Sequence, residues 1–461
     1  MAVQYKPTSH ENLPHDSIDS LGYDWERVAN PAIRPKYPFK IYLPRTTEDV
    51  IAVVNEARQL GQTLGIRSRG HSSNDLVLVD KGAVLCTEKL NKAIELDPRA
   101  MTVKVQAGVV LANLDEMLAK QGYGLPVVGD HDDITAGGFA SVGGISPTSH
   151  RYGMFVDNIA ALEYVNWDGE PIRCSKAENR DEFYRLLTGT GQYGVIATIT
   201  LNIVRVDKYR TILKNDRKLY IGVNEFVEGT TRLINNPGDT LMQRAAWFDF
   251  AEGRSIGQIS AYKAAPPGRL GASTNTLSYG YLHTLGFWAG RLPEKLDVAV
   301  KYLGTLGLIF APGYASIKNV ERFSDRVLDS SVRDPSRFLI TLAPAEAYPT
   351  LFDKLYTLCR SFRTRHKCFT FITLSVKGIR SDYLSNGDPN KPFCELILLV
   401  GIDPKRMTDV LTDDFVSQMD DLCIEHGAFR YMHTKTVKDP ERRRLIDPNA
   451  AHARVGETTA G

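Results

Sequence analysis

Residues 66–75, IRSRGHSSND, are the stretch from which the fold of this chain can be approached. They follow a segment with helical periodicity and a short apolar strand that ends at Arg67, so they are predicted to be a loop that leaves a strand. Gly70 carries no Cβ, which lets a ligand approach the backbone closely. Hydroxyls, backbone N–H groups and guanidinium groups are suitable partners for a pyrophosphate. The loop is therefore predicted to bind phosphate groups; the alternative is a polar surface loop with an incidental histidine.

Phosphate binding does not require an imidazole, so His71 indicates a second role at this loop. The residues that the pattern assigns to ligand binding are Ser68, Arg69, Gly70, Ser72 and Ser73, with Arg67 adding positive charge.

The segment before the loop fits one supersecondary unit. Residues 46–49, TTED, form an N-cap pattern, and apolar residues from Val50 to Leu60 recur at helical spacing. Phe39–Leu43 precedes this helix as a short strand, and Gly61 ends it. A strand–helix–strand unit is therefore predicted to lead into the loop.

Two further glycine-rich stretches follow. Residues 129–153, GDHDDITAGGFASVGGISPTSHRYG, hold six glycines without useful periodicity and are predicted to be a long functional loop. Residues 189–194, GTGQYG, form a third glycine-rich turn that runs into a strand. Three such loops in one α+β domain indicate a site for an extended dinucleotide. No G-x-G-x-x-G motif opens a helix, so a Rossmann domain is not expected.

The composition excludes several classes of protein. Lys and Arg number 56 against 54 Asp and Glu, which argues against a nucleic-acid-binding protein. The six cysteines lack the spacing of a metal site or a disulfide framework, which favours a reducing compartment. The first 16 residues, MAVQYKPTSHENLPHD, have no apolar core of a signal peptide, and no run reaches the ~18–20 apolar residues of a membrane span. We therefore expect a cytoplasmic monomer or homodimer without a transmembrane segment or a metal.

The residue pattern changes near Val206, where glycine clusters are followed by longer β-like runs and amphipathic helices. We predict an α+β fold with a first domain at residues 1–205, built from two small α/β subdomains, and a cap domain at residues 206–426. The cap is expected to be an antiparallel sheet covered by helices. Residues 427–461 are predicted to return to the first domain, with turns at the two Asp-Pro pairs and a disordered tail from Ala451. Tyr279–Tyr314 is rich in glycine, leucine and aromatic residues and is expected to be a core segment rather than a substrate-lining or membrane-contacting one.

Four motifs occur in order between residues 40 and 205: IRSRGHSS, ITAGGFASVGGIS, TSHRYGMFVDNIAALEYV and TGTGQYGVIATITL. Together they resemble the PCMH-type flavin domain of the vanillyl-alcohol-oxidase family, closest to cytokinin dehydrogenases and their bacterial relatives. The resemblance implies a two-domain flavoenzyme with extended FAD, whose isoalloxazine lies at the domain interface and is bonded covalently to His71. The further FAD contacts that it implies are Ser68, Arg69, Gly70, Ser72, Ser73, Thr135, Gly138, Ser141, Gly144, Ile145 and Ile196.

The same resemblance implies a catalytic base. Without gaps, GDHDDITAGG places Asp130 on the aspartate that accepts the substrate's N–H proton in cytokinin dehydrogenases. Burial beside a flavin is expected to raise the pKa of Asp130 toward a useful value. His131 is the rival, and the ordinary alternative is that Asp130, Asp132 and Asp133 cap turns. The surrounding residues differ from those of the plant enzymes, so the substrate stays open.

The second domain resembles another branch, the aldonolactone and decaprenylphosphoryl-ribose oxidases. The matching residues, which the resemblance implies face the flavin, are Lys377, Cys394, Tyr431 and Lys435. His433 is a candidate to replace one of them, because the Tyr431–Lys435 spacing is one residue longer than the pattern. His433 and Lys435 are expected to stabilise the negative charge that develops on the reduced flavin. Ordinary roles in the core or on the surface are the alternatives for each.

The implied function is that of an FAD-dependent oxidoreductase that takes a hydride from a C–H next to nitrogen or oxygen of a small organic substrate. O2 or another acceptor would reoxidise the flavin. A cytokinin-like amine would use Asp130 as base, whereas a sugar alcohol, lactol or aldonolactone-type substrate would depend on Tyr431, His433 and Lys435. A specialised metabolite is a third kind of substrate. A non-catalytic flavin-binding protein and an NADPH-dependent reductase are less favoured alternatives.

Overall fold

The computed structural model describes residues 21–25, 35–73, 75–131, 133–251, 254–271, 313–321, 336–388 and 390–452. Most of the Tyr279–Tyr314 stretch and residues 453–461 of the expected tail lie outside these ranges.

The predicted strand–helix–strand unit is confirmed. It consists of β1 (Lys40–Tyr42), α1 (Thr47–Gln59) and β2 (Leu64–Arg67). The Thr46 hydroxyl accepts the Asp49 N–H and the Asp49 carboxylate accepts the Thr46 N–H, so the capping box is complete. β3 (Ala83–Cys86) pairs in parallel between β1 and β2. The loop after Arg67 therefore leaves the carboxyl end of a parallel sheet.

A second, antiparallel sheet completes the N-terminal part. The elements here are β4 (Ala93–Asp97), β5 (Thr102–Gln106), α2 (Leu111–Ala119), β6 (Tyr123–Gly124), α3 (Ala136–Ala140), α4 (Ser149–Tyr152), β7 (Ile159–Val165), β8 (Pro171–Ser175), α5 (Arg180–Leu186), β9 (Val195–Asn202) and β10 (Val204–Arg205). Five strands pair in the order β4-β5-β9-β7-β8, and β6 pairs with β10.

The stretch at residues 129–153 is not one long loop, as the sequence suggested, because α3 and α4 form within it. Small residues allow α3 to lie close to the neighbouring backbone. A Cβ on Gly137 would come within 2.8 Å of the Ala107 Cβ. The glycine at this position therefore serves helix packing rather than loop flexibility.

The cap is an antiparallel sheet covered by helices, as predicted. Its elements are β11 (Ile212–Tyr220), α6 (Val223–Asn235), β12 (Met242–Ala251), β13 (Arg254–Ala264), β14 (Tyr314–Ser316), α7 (Ile317–Glu321), β15 (Ser336–Pro344), α8 (Tyr348–His366), β16 (Phe369–Ile379), α9 (Asp382–Ser385), β17 (Phe393–Ile402), α10 (Asp409–Glu425), β18 (Phe429–Arg430) and α11 (Pro440–Ile446). Eight strands pair in the order β14-β11-β13-β12-β16-β17-β15-β18. One face buries Trp247, Leu374 and Leu398 in a core that includes Phe352 and Phe415 of α8 and α10. In the part of the chain that the structure describes, no helix has both the length and the apolar character needed to cross a bilayer.

Four buried charged side chains connect the cap to the N-terminal part. Lys208 Nζ lies 2.8 Å from Asp115 Oδ1 of α2 and 2.7 Å from Glu321 Oε1 of α7. Lys318 Nζ lies 2.7 Å from the other oxygen of Asp115. Each of these charges has an oppositely charged partner, so the ion pairs fix how the cap and the N-terminal part contact each other here.

The C-terminal segment contacts both parts of the molecule: β18 and α11 pack on the cap, and His433 lies against the loop that follows β2. The Ser73 N–H donates to the His433 carbonyl at 2.8 Å. The expected turns are partly replaced by α11, whose first N–H groups are capped by the Asp439 carboxylate, 2.9 Å from the Arg442 nitrogen. The expected disorder from Ala451 is wrong for the residues that can be described. Residues 451–452 are helical, and the His452 ring nitrogen lies 2.6 Å from the Tyr383 carbonyl oxygen.

Candidate active site

Two cavities meet between the N-terminal part and the cap. The first, which we call the loop cavity, has a volume of about 210 Å³ and lies among the three glycine-rich segments. The second, the sheet cavity, has a volume of about 290 Å³ and lies on the face of the large sheet opposite the helices. The residues that line both are His71, His131, Ile134, Phe139, Tyr431 and His433.

Most of the residues assigned to the cofactor line the loop cavity. They are Ser68, Arg69, Gly70, His71, Ser72, Thr135, Gly138, Ser141 and Ile196. Gly70 has φ +73°, a conformation that favours glycine, which explains its place in the turn. Ser73 and Ile145 line the sheet cavity instead. Gly144 lines neither cavity, and its N–H donates to the Tyr431 hydroxyl oxygen at 2.7 Å.

The donors of the loop cavity fit an extended phosphate-containing cofactor. The hydroxyl oxygens of Ser68 and Ser72 are buried and have no hydrogen-bond partner among the described residues. A buried hydroxyl without a partner costs free energy, which a phosphate oxygen would recover. Arg69 adds positive charge, although its guanidinium already lies 3.2 Å from Asp133 and 3.7 Å from Glu88. The residues present therefore fit a dinucleotide such as FAD.

Asp130 belongs to a cluster of four charged side chains in the sheet cavity. Lys377 Nζ contacts Asp130 Oδ2 and lies 2.9 Å from Glu395 Oε2. Arg244 Nη2 lies 3.3 Å from Asp130 Oδ1. Glu395 and Lys377 are cross-strand partners on β17 and β16, and Arg244 lies on the next strand, β12. The cap sheet thus supplies three members of the cluster and the glycine-rich stretch supplies one.

The expectation that the pKa of Asp130 is raised is wrong. Burial alone would raise it, but the charges of Lys377 and Arg244 outweigh burial and hold the pKa of Asp130 at about 2. Burial raises the pKa of Glu395, against the opposing charge of Lys377. Asp130 is therefore ionised at neutral pH, and the acidic group with a raised pKa is its neighbour across the lysine.

The C-terminal residues divide into two groups. Tyr431 and His433 line both cavities, with ring centroids 4.5 Å apart. Burial, together with His131 and Arg430, lowers the pKa of His433 to about 3, so this imidazole is neutral and not a cation. Lys435 lines neither cavity, and its Nζ lies 2.8 Å from Asp413 Oδ1. His433 is therefore not a cation beside the cavities, and the positive charge of Lys435 lies outside them, paired with Asp413.

Cys394 does not reach the site either. Its side chain is buried in the core between the sheet and the helices, and Glu395, the next residue on β17, faces the cavity. Successive side chains on a strand point to opposite faces, so a shift of one residue separates the two environments.

Sequence reasoning missed Arg244, Trp25 and Phe338 as cavity residues. It assigned no role to Glu395 either. A charged residue inside the apolar run FCELILLV was a usable signal for Glu395, because burying an unpaired carboxylate is costly. Arg244 carried no comparable signal. Trp25 is held at the cavity by a contact with a distant part of the chain, in which its backbone N–H donates to the Ser72 carbonyl at 2.9 Å.

Comparison with known proteins agrees with this geometry in the N-terminal part. Residues 38–175 match the family model described as an FAD binding domain. L-gulonolactone oxidase of Mus musculus is 31% identical over 167 residues, which are 36% of this chain and 38% of that protein. Delta(24)-sterol reductase of Homo sapiens is 34% identical over 181 residues, 37% of this chain and 34% of that protein. Cytokinin dehydrogenase 3 of Arabidopsis thaliana is 27% identical over 224 residues, 48% of this chain and 41% of that protein.

The chain spans well under half the length of each of these relatives. Three differently named enzymes match over similar lengths, so the comparisons support the cofactor domain and do not single out one subgroup. The mixed α+β fold, the loop cavity and the family match agree with one another. Residues 38–175 are therefore similar to known FAD binding domains.

Proposed function

We propose that the protein is an FAD-dependent oxidoreductase that takes a hydride from a C–H next to nitrogen or oxygen of a small organic substrate. The single observation that carries this proposal is that the loop cavity shares His71 and Tyr431 with the sheet cavity, which has a charged cluster on its wall. FAD supplies the two-electron acceptor chemistry when it is bound, and O2 or another acceptor takes the electrons away. Residues 1–205 would hold the cofactor, residues 206–426 the substrate, and residues 427–461 would close the site.

Asp130 would bind the substrate hydroxyl or amino group rather than act as a base with a raised pKa. A carboxylate with a pKa of about 2 stays ionised and accepts a hydrogen bond throughout the physiological range. Lys377 lies between Asp130 and Glu395 and can donate to either carboxylate as the substrate's proton moves. The Asp130–Lys377–Glu395 group could hydrogen-bond to an alcohol as well as to an amine substrate. The Glu395 carboxylate, whose pKa burial raises, would take up the proton released from the substrate, while Asp130 stays ionised.

Anaerobic reduction of the bound flavin tests the proposal. A panel of alcohols and amines should contain a compound that bleaches the flavin absorbance, with one aldehyde, ketone or imine formed per flavin reduced. The Asp130→Asn substitution removes the group that would position the substrate, so it should slow this reduction by about 10²-fold without altering the spectrum of the oxidised flavin. Asp239→Asn, at a 73% exposed side chain that pairs with Lys263, is the matched control. Purified protein that retains no FAD after reconstitution would refute the proposal.

We also infer that FAD is bonded covalently to His71, because the family resemblance assigns the attachment to this histidine and its imidazole lines both cavities. Acid-precipitated protein should stay yellow, and the His71→Ala variant should release its flavin on denaturation. A colourless wild-type pellet with free FAD in the supernatant would contradict the covalent bond while leaving cofactor binding intact.

A further inference from the structure

The sheet face that forms the floor of the sheet cavity is graded in polarity. Three rows of side chains cross the cap sheet, and each row is set by the pairing register. The first row consists of Ser260, Arg244, Lys377 and Glu395. The second consists of Gln258, Ala246, Ser375, Ile397 and Ile340. The third consists of Phe248, Thr373, Leu399 and Phe338.

The first and third rows are four residues apart along each strand, which corresponds to about 13 Å. The polar end of the floor is the end that contacts Asp130, next to His131, which lines both cavities. The floor therefore offers hydrogen-bonding groups beside the junction of the cavities and mainly hydrocarbon beyond it.

The four charged side chains at the polar end of the floor are already paired with one another. Among the described residues that line the sheet cavity, the Lys, Arg, Asp and Glu side chains are Arg244, Lys377, Asp130 and Glu395, two of each sign. Each of the four lies within ion-pair distance of a partner of opposite sign. An additional full charge brought into this site would lose its hydration without gaining a free counter-charge. A neutral hydroxyl or amino group can hydrogen-bond to the cluster at much lower cost.

We propose that the substrate is an uncharged, elongated and mainly apolar molecule with one hydroxyl or unprotonated amino group at its end. The polar group hydrogen-bonds to Asp130 and the first row, and the hydrocarbon body lies on Ile397, Leu399 and Phe248. A sugar lactone or polyol fits this floor poorly, because its further hydroxyls would be buried against the second and third rows with few partners. The inference rests on the proposed function for the identity of the site, and it adds the class of substrate.

Titration calorimetry with a homologous series tests this class without requiring turnover. The probes are the alkan-1-ols from pentanol to octanol, octanoate, and L-gulonolactone, each titrated into the protein as purified. Each added methylene should lower Kd by about fourfold, because it buries hydrocarbon on the floor. Octanoate should bind at least tenfold more weakly than octanol, and L-gulonolactone should show no saturable binding. A Kd that does not change along the series, or tighter binding of octanoate or L-gulonolactone than of octanol, would overturn the proposal.

Two substitutions on the third row sharpen the test. The Leu399→Asn substitution should raise the Kd of octanol by at least tenfold and the Kd of pentanol much less. Thr373→Val keeps the size and removes a hydroxyl, so it should strengthen octanol and remains informative if the first variant folds poorly. Leu219→Asn, at a 47% exposed position of β11 outside the cavity, is the control and should change nothing. If Leu399→Asn changes the Kd of both alcohols equally, or if Thr373→Val binds octanol more weakly, the alcohols bind at another surface of the protein.

The two proposals fail separately. If alkanols bind with the expected pattern and no alcohol or amine bleaches the flavin, the redox function is refuted and the binding class stands. If the flavin is bleached by polyols and not by alkanols, the redox function stands and the binding class is refuted.

Discussion

Lys377 holds two buried carboxylates together, and replacing it is the sharpest test of the site's electrostatics. Its side chain is 6% exposed, against 17% for Asp130 and 4% for Glu395. The fall in the Asp130 pKa from its ordinary 3.8 to about 2 corresponds to about 2.5 kcal/mol of stabilisation of the ionised form. The Lys377→Met substitution removes the larger of the two positive charges that lower this pKa, and it leaves Glu395 beside a like charge. We expect it to lower the free energy of unfolding by about 3–5 kcal/mol at pH 8, the range for breaking a buried pair.

The sign of the pH dependence separates this explanation from a simple packing defect. In wild-type protein the depressed pKa of Asp130 contributes stability that is present above pH 4 and is lost as the pH falls toward 2. In the Lys377→Met variant, the pKa of one of the two carboxyl groups, Asp130 or Glu395, rises above its value in the unfolded chain. The loss in the free energy of unfolding is therefore largest at high pH and becomes smaller as the pH falls. The difference in the free energy of unfolding between wild type and the variant should therefore be smaller at pH 5 than at pH 8 by at least about 1 kcal/mol.

Urea unfolding at the two pH values, followed by circular dichroism, measures both quantities. Lys354→Met is the matched control, because Lys354 pairs with Glu425 at the surface, where the two side chains are 37% and 56% exposed. Exposed pairs contribute little, so its unfolding midpoint should equal that of wild type at both pH values. A Lys377→Met deficit below about 1 kcal/mol, or an equal deficit at pH 5 and pH 8, would refute the reasoning.

Two further predictions concern the C-terminal segment. Because burial, His131 and Arg430 hold the pKa of His433 at about 3, His433→Gln should leave the pH dependence of flavin reduction between pH 5 and 8 unchanged; loss of an inflection near pH 6 would contradict this. His452→Ala should lower the free energy of unfolding by about 1–2 kcal/mol in urea titrations, because the ring contacts the Tyr383 carbonyl and packs against the Tyr383 ring at a centroid distance of 4.0 Å. An unchanged midpoint for that variant would show that this end of the chain does not contribute to the fold.

The sequence by itself determined the features that depend on neighbouring residues. The capping box at Thr46 and Asp49 set the start of α1, and Gly61 followed its end. The chain therefore enters the loop after β2 where the pattern predicted. Gly70 was predicted to lie in a tight turn and has a φ of +73°, because positive φ is a local requirement that favours glycine.

Only the tertiary structure decided which side chains meet at the site. Asp130, Arg244, Lys377 and Glu395 lie in four segments spread over 266 positions, and strand pairing brings three of them into one row. Their positions depend on sheet register, and a shift of one residue exchanges Glu395 for Cys394 on the cavity face. The pKa of Asp130 reversed its expected direction for the same reason. Burial is suggested by an apolar sequence, whereas the direction of the net shift depends on which charges the fold brings within a few ångströms.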